Sequence, residues 1–177
     1  MTEPDSSGAL ERRRLGATGP EDTPLTFGSA PIATVFCEND EATAVAAARA
    51  ARDAGIRLFD TAPFYGLGEA EELVGLALAG SDPAEVLIAT KVGRTIVGSG
   101  EDRDAVFDYS ADAVRRQLEA SLARLGRARA DIVHVHDPED NLAEALDECL
   151  PALVELRDEG LVGAISVGTN VCATALT

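Results

Sequence analysis

Four residues of this chain have the types and placement to act together on a carbonyl. Asp60 closes the short apolar run Ile56 to Phe59, which Arg57 interrupts. The turn Thr61-Ala62-Pro63-Phe64 then delivers Tyr65 beside Gly66. The run Val86-Leu87-Ile88-Ala89-Thr90 ends at Lys91, and Ile132-Val133-His134-Val135 ends at His136. Each of the four sits at or just past the carboxyl end of an expected strand. Interconverting a carbonyl and an alcohol needs a hydride carrier and a proton donor for the developing alkoxide. A phenol can donate, but its ordinary pKa is about 10, and a nearby ammonium favours its ionised form. The ammonium in turn needs a carboxylate to keep it charged and in place. An imidazole at the mouth can orient the substrate oxygen. Tyr65, Lys91, Asp60 and His136 supply these roles in that order.

Composition singles out one of them. Of fifteen basic residues, fourteen are Arg and only Lys91 is Lys. A chain that otherwise uses Arg as its cation points to a need for an amine, or a compact point charge, at that position. Each residue also has a plainer account: Tyr65 as a loop anchor, Asp60 as a turn cap, His136 as a loop-capping imidazole before Asp137-Pro138, Lys91 as chance. Their joint placement at three strand ends favours the site. Gly66-Leu67-Gly68 invites a dinucleotide-loop reading, but the third Gly is missing and the Tyr-containing loop intervenes. His134 and His136 share one strand face, as in barrel metallohydrolases. Metal sites need three or four ligands, and these are the only two His, so no metal is assigned. His134 is expected to point inward, below His136.

The elements that must position these residues follow from pattern. Leu25 to Ala30 reads as a strand. Asn39 or Asp40 caps a helix from Glu41 to Ala54, stopped by Gly55. Ile56 to Asp60 is the next strand, Glu69 to Leu78 a helix, and Val86 to Thr90 a strand. Residues 92–109 read as a long Gly- and Ser-rich loop, functional or mobile by its length. Ser110 caps an amphipathic helix with Ala113, Val114, Leu118, Leu122 and Leu125 on one face. Asp131 to His136 is a strand. A helix from Asn141 carries Leu142, Leu146, Leu150, Leu153 and Leu156, with Pro151 as a kink. Val162 to Val167 is the fifth strand, and Gly168-Thr169-Asn170 its exit. Continuous apolar strands alternating with amphipathic helices predict an α/β fold with a parallel sheet, either doubly wound or a (β/α)8 barrel. In both, chemistry gathers at the carboxyl ends of the strands.

The chain has 177 residues and a net charge of −16, an ordinary globular composition with an acidic surface. That balance argues against nucleic acid and anionic membrane as partners. No apolar stretch approaches a bilayer span, and the first residues carry no apolar core of a signal peptide, so a cytoplasmic location is expected. Cys37, Cys149 and Cys172 lack metal-ligand spacing and are expected as reduced, partly buried thiols.

Taken together, the stretches Arg14 to Gly19, Thr26-Phe27-Gly28, Phe59 to Gly66, Thr90-Lys91-Val92-Gly93, Asp131 to Pro138 and Gly163 to Gly168 resemble the aldo-keto reductase superfamily. The likeness is to bacterial members acting as aldose dehydrogenases, and it covers nearly all of the chain from about residue 12. The resemblance implies a (β/α)8 TIM barrel, truncated after about the fifth strand, over residues 12–177, with 1–11 a flexible lead. It implies NADP or NAD as cofactor and a small carbonyl compound or sugar as substrate. It makes Tyr65 the acid/base, Lys91 and Asp60 its supporting pair, and His136 the substrate orienter. Gly28, Thr169 and Asn170 become cofactor-binding positions, Asn170 toward the nicotinamide carboxamide. Because a full barrel takes ~250 residues, most of the cofactor grip is expected to lie beyond the end. Two alternatives stand beside this reading: a truncated, inactive fragment lacking most of the cofactor site, which does nothing or associates with a complementary half or with itself through the open barrel edge, and a metal-dependent barrel hydrolase using His134 and His136.

Overall fold

The computed structural model describes residues 11–17, 19–33 and 40–174. Its centre is a five-stranded parallel sheet. In spatial order the strands are β3 (Thr26–Gly28), β4 (Leu58–Asp60), β5 (Leu87–Val92), β8 (Ala130–His136) and β9 (Val162–Gly168). Sequential neighbours pair throughout, with Phe27 opposite Phe59, Phe59 opposite Ile88, Lys91 opposite His134 and His136 opposite Gly168. Helices α1 (Glu41–Asp53), α2 (Glu69–Leu78) and α3 (Ala111–Leu125) fill three crossovers. The fourth holds α4 (Leu142–Glu144) and α5 (Leu150–Asp158), joined by a π-turn over Ala145–Cys149.

Strand side chains alternate between two faces, and the two faces differ. Outward, Phe59 and Ile88 pack on α1 and α2 through Ala44, Val45, Leu73 and Val74. Val133 and Val135 pack on α3 and α5 through Val114, Leu118, Leu153 and Leu156. Inward, a small apolar plug of Leu58, Leu87, Ala89 and Ile132 fills the concave side. Towards the carboxyl ends that inner face turns polar, with Asp60, Lys91, His134 and His136 continuing the same rows.

Local signals account for most element ends. Asp40 caps α1, its carboxylate accepting the Thr43 N–H at 2.9 Å. The five apolar residues expected on α3 are all buried. Ser110 sits at the α3 N-cap position, but its hydroxyl donates to Asp108 Oδ1 at 2.6 Å instead of capping the helix. Pro151 has no N–H, and the turn before it widens: the Leu150 N–H reaches back five residues to the Ala145 carbonyl. The buried side of this helix runs through Ala145, Cys149, Leu153 and Leu156, which leaves the expected Leu146 and Leu150 exposed.

The 92–109 stretch departs most from expectation. It is a hairpin, β6 (Arg94–Val97) against antiparallel β7 (Asp104–Phe107). Its β-branched and aromatic runs flank Gly98 and Gly100, both at positive φ, which is ordinary hairpin chemistry. A second small hairpin, β1 (Arg13–Arg14) with β2 (Glu21–Asp22), precedes the sheet. Cys37 lies outside the described residues. Cys149 is a buried free thiol and Cys172 an exposed one.

One polar knot ties the helices to the strand that carries Lys91. Glu71 on α2 is fully buried; it accepts the Thr90 hydroxyl at 2.5 Å and the Arg124 Nε–H at 2.7 Å. Arg124 also lies over Gly68, where an added Cβ would meet its side chain at 3.0 Å. Gly66, Leu67 and Gly68 all have positive φ, so this run is the tight entry to α2 packed under an arginine. Glu71→Ala takes the acceptor from Thr90 and the carboxylate from Arg124, leaving Arg124 only the Ser121 hydroxyl, and should cost about 3 kcal/mol of stability. Urea unfolding followed by circular dichroism measures it, and a loss no larger than that of an exposed pair would contradict the assignment.

Candidate active site

The four chemical residues converge. The Lys91 ammonium donates to both carboxylate oxygens of Asp60, at 2.7 and 2.9 Å, and to the Thr61 carbonyl at 2.9 Å. All three N–H bonds are thereby used. Lys91 is 7% exposed while the Asp60 carboxylate remains partly open, so the ammonium end of the pair is the shielded one. The same Nζ lies 5.0 Å from the centroid of the Tyr65 ring. The Tyr65 ring meets the His136 ring edge-on, at 6.1 Å and 87°.

Local structure explains how each arrives. Asp60 ends β4, and its carbonyl takes the Ser29 N–H from the neighbouring strand exit. The Thr61 N–H bonds to Ala89 O, which curls the chain toward Lys91. One turn follows, with the Tyr65 N–H on Ala62 O at 3.1 Å, and it swings the phenol back over the strand ends. Gly66 closes it at φ 63°, where a Cβ would meet Ala33 and Glu69 within 3 Å.

His136 is buried and held neutral. Burial, and then the charges of Lys91 and Arg94 with His134 beside it, push its pKa down to about 3. Its Nε2 is 3.6 Å from Asp137 Oδ2. Its backbone carbonyl accepts the Tyr109 hydroxyl at 2.5 Å, and Tyr109 is fully buried. Gly93 makes room for that ring: a Cβ there would fall 2.2 Å from Tyr109 Cε1. His134 lies on the inner face as expected, its Nε2 3.7 Å from Asp60 Oδ2. Burial and Lys91 lower its pKa too, with Asp60 opposing.

The metal alternative meets a specific obstacle here. The one carboxylate near His134 already holds the Lys91 ammonium, and a metal cation would have to displace it. Among the described residues no group of three or more His, Cys, Asp and Glu is arranged to hold a metal ion.

The three remaining candidates stand at the two flanks. Gly28, exposed at the end of β3, faces open space and pairs with Asp60 in register. Thr169 and Asn170 follow β9. The Thr169 hydroxyl is bound to the Glu139 carboxylate, and the exposed Asn170 amide makes one long contact to Asp137 Oδ1 at 3.4 Å. Sequence reasoning did not single out the residues that join these parts. Gln117 of α3 is buried; it accepts the Gly93 N–H at 2.6 Å and donates to Thr95 and Asp108, rooting the hairpin. Arg94, Phe107 and Tyr109 complete that root. A long polar side chain inside the buried stripe of α3, where the only other polar residue is Ser121, was the available signal for Gln117.

Comparisons with known proteins identify the family of the chain. The sequence profile of the Aldo/keto reductase family matches residues 24–174. The chain belongs to that family. It is 37% identical over 161 residues to L-galactose dehydrogenase of Arabidopsis thaliana, covering 89% of this chain and 48% of the relative. It is 38% identical over 172 residues to D-threo-aldose 1-dehydrogenase of a Pseudomonas species, covering 86% and 51%. Among solved structures, the holo form of an aldo-keto reductase from Bacillus halodurans aligns with a TM-score of 0.80 at 27% identity, over 91% of this chain and 51% of that one. The glycerol dehydrogenase of Gluconobacter oxydans aligns with a TM-score of 0.76 at 30% identity, over 96% and 51%. The parallel sheet is thus an arc of an aldo-keto reductase barrel, and the chain spans about half the length of the curated relatives it matches.

The buried imidazole has a measurable consequence. The unfolded chain binds a proton at an ordinary histidine near pH 6.5, and the folded chain binds it at His136 only near pH 3. Stability is therefore full above pH 6.5 and falls as the pH drops toward 3. His136→Gln removes this contribution. The stability gap between wild type and variant should narrow steadily from pH 7 to pH 4 in urea titrations, and a constant gap would refute the buried neutral state.

Proposed function

We propose that this chain supplies the proton-handling residues of an NAD(P)H-dependent oxidoreductase site for a small carbonyl compound or aldose. The carrying observation is one cluster: the Asp60-bound Lys91 ammonium 5.0 Å from the Tyr65 ring, and the neutral His136 edge-on to the same ring. In reduction, Tyr65 gives its phenolic proton to the substrate oxygen as that oxygen gains charge. The Lys91 cation stabilises the phenolate left behind. Its own N–H bonds are spent on Asp60 and Thr61, so it acts through its field rather than by a hydrogen bond. His136, uncharged, orients the substrate oxygen without competing as an acid. In oxidation the phenolate takes the proton back. NAD(P)(H), when bound, supplies or accepts the hydride at the substrate carbon.

The residues fit such a cofactor at the two flanks. Gly28 offers uncrowded backbone beside Asp60, and Asn170 offers an exposed amide for a carboxamide, with Thr169 holding the loop. The names of the dehydrogenases it resembles support a sugar or other aldehyde-level substrate. Residues 12–177 would form one barrel-type domain. The unpaired flanks of β3 and β9 offer backbone for self-association or a complementary segment. The acidic composition and the free thiols of Cys149 and Cys172 suit a cytoplasmic setting. No described helix is long and apolar enough to cross a membrane.

Titration with NADPH, followed by its fluorescence, tests the proposal directly. Saturable binding below the millimolar range supports it; no binding at millimolar NADPH would overturn activity of this chain alone and favour the inactive-fragment reading. Where turnover is measured, Tyr65→Phe should lower it by about 100-fold or more while leaving NADPH affinity unchanged. Near-normal turnover in that variant would remove Tyr65 from the acid/base role.

A further inference from the structure

One side chain crosses the mouth of the site without a part in proton handling. Arg94 opens β6, just past Lys91. Its guanidinium lies between two aromatic faces, 4.2 Å from the Phe64 centroid and 4.5 Å from that of Phe107. It also donates to Asp137 Oδ2 at 2.8 Å. Phe64 directly precedes Tyr65, and Asp137 directly follows His136. The Phe64 ring in turn meets the His136 ring edge-on at 6.1 Å. Asp137 is held in the left-handed region at φ 45°, its N–H on Gly168 O at 2.8 Å, its second oxygen toward Asn170. A single guanidinium therefore joins the exits of β4, β5 and β8, and through Asp137 reaches that of β9.

Two observations argue that this is more than hairpin packing. Gln117 already anchors the hairpin root through Gly93, Thr95 and Asp108, with no bond to Arg94. The Arg94 side chain is also only 19% exposed, with Nε buried and without a hydrogen-bond partner among the described residues. Burying an arginine this incompletely satisfied is unfavourable. It is spent on the two residues that flank the working Tyr and His.

We propose that Arg94 is a positioning residue: its stack on Phe64 and its ion pair with Asp137 hold the Tyr65 and His136 rings in their perpendicular contact. This rests on the acid/base role of Tyr65 and the orienting role of His136 proposed above. Arg94 acts on those rings through their neighbours and through its charge. The charged and titratable groups around His136 are Lys91 from β5, Arg94 from β6, His134 and Asp137 from β8 and its exit, and Tyr65 from the β4 exit. Tyr109 binds its backbone carbonyl. Arg94 is one of the cations that keep its imidazole neutral.

The chain has only two histidines, so proton NMR of the full chain can follow both, with a His134→Gln variant for assignment. In Arg94→Gln the nuclear Overhauser contact between the Tyr65 and His136 rings should vanish, and the His136 midpoint should rise. In Arg94→Lys the retained cation should bring that midpoint back down. The ring contact should stay weak, because an ammonium does not stack flat between two aromatic faces. A folded Arg94→Gln protein that keeps the ring contact overturns the proposal. If that variant does not fold, Asp137→Asn, which removes the carboxylate charge and leaves the stack of Arg94 on Phe64 in place, is read by the same ring contact. Where turnover is measurable, kcat should fall by about 100-fold with KM nearly unchanged, and an unchanged kcat would equally overturn it. The NMR readout needs no turnover, so a catalytically silent wild type would count against the proposed function and leave the Arg94 test standing.

Discussion

An ammonium placed inside a parallel sheet constrains everything near it. Lys91 is tolerated because oxygens take all three of its protons, two of them on one carboxylate. That requirement sets β4 beside β5, puts Asp60 at the last residue of its strand, and bends the chain at once so that the Thr61 carbonyl turns back. The turn which satisfies the lysine is also the turn which delivers Tyr65. Charge satisfaction and the placement of Tyr65 are therefore one local structure.

The two faces of the sheet divide the work. The outer face is a conventional apolar contact with helices and carries most of the burial. The inner face changes character along its length, from the plug of Leu58, Leu87, Ala89 and Ile132 to the polar quartet. The plug keeps water from approaching the Lys91–Asp60 pair from below. Behind the sheet, Glu71 grips Thr90 next to Lys91, and Tyr109 grips the carbonyl of His136. The ends of β5 and β8 are thus each secured by a buried polar group, from the helix side or from the segment leading into α3.

Much of this could be read from the residues. Strand-ending Asp60, Lys91 and His136 stood out because a polar residue at the end of an apolar run has few structural reasons to be there, and the lone lysine reinforced it. The alternation of strands and helices was plain from periodicity. The 94–107 hairpin was missed because Gly and charge in the stretch outweighed two short β-branched runs. The exposed Leu146 and Leu150 were missed because a π-turn is a response to Pro151 within a packed helix, and a uniform helical period does not contain it. Arg94, Gln117 and Glu71 are important through partners on other elements, and single-chain spacing holds no record of those partners. The flanking positions Gly28, Thr169 and Asn170 were placed by family resemblance alone.

The solitary lysine has one more implication. Aldehydes and reducing sugars condense with free amines to form imines and then slower adducts. This chain has a single side-chain amine, 7% exposed, with every proton directed at an oxygen. Its other cations are guanidiniums, which are poor nucleophiles at neutral pH. With this composition the chain offers a reactive carbonyl a single side-chain amine, and that amine is held by Asp60 and Thr61 through all three of its protons.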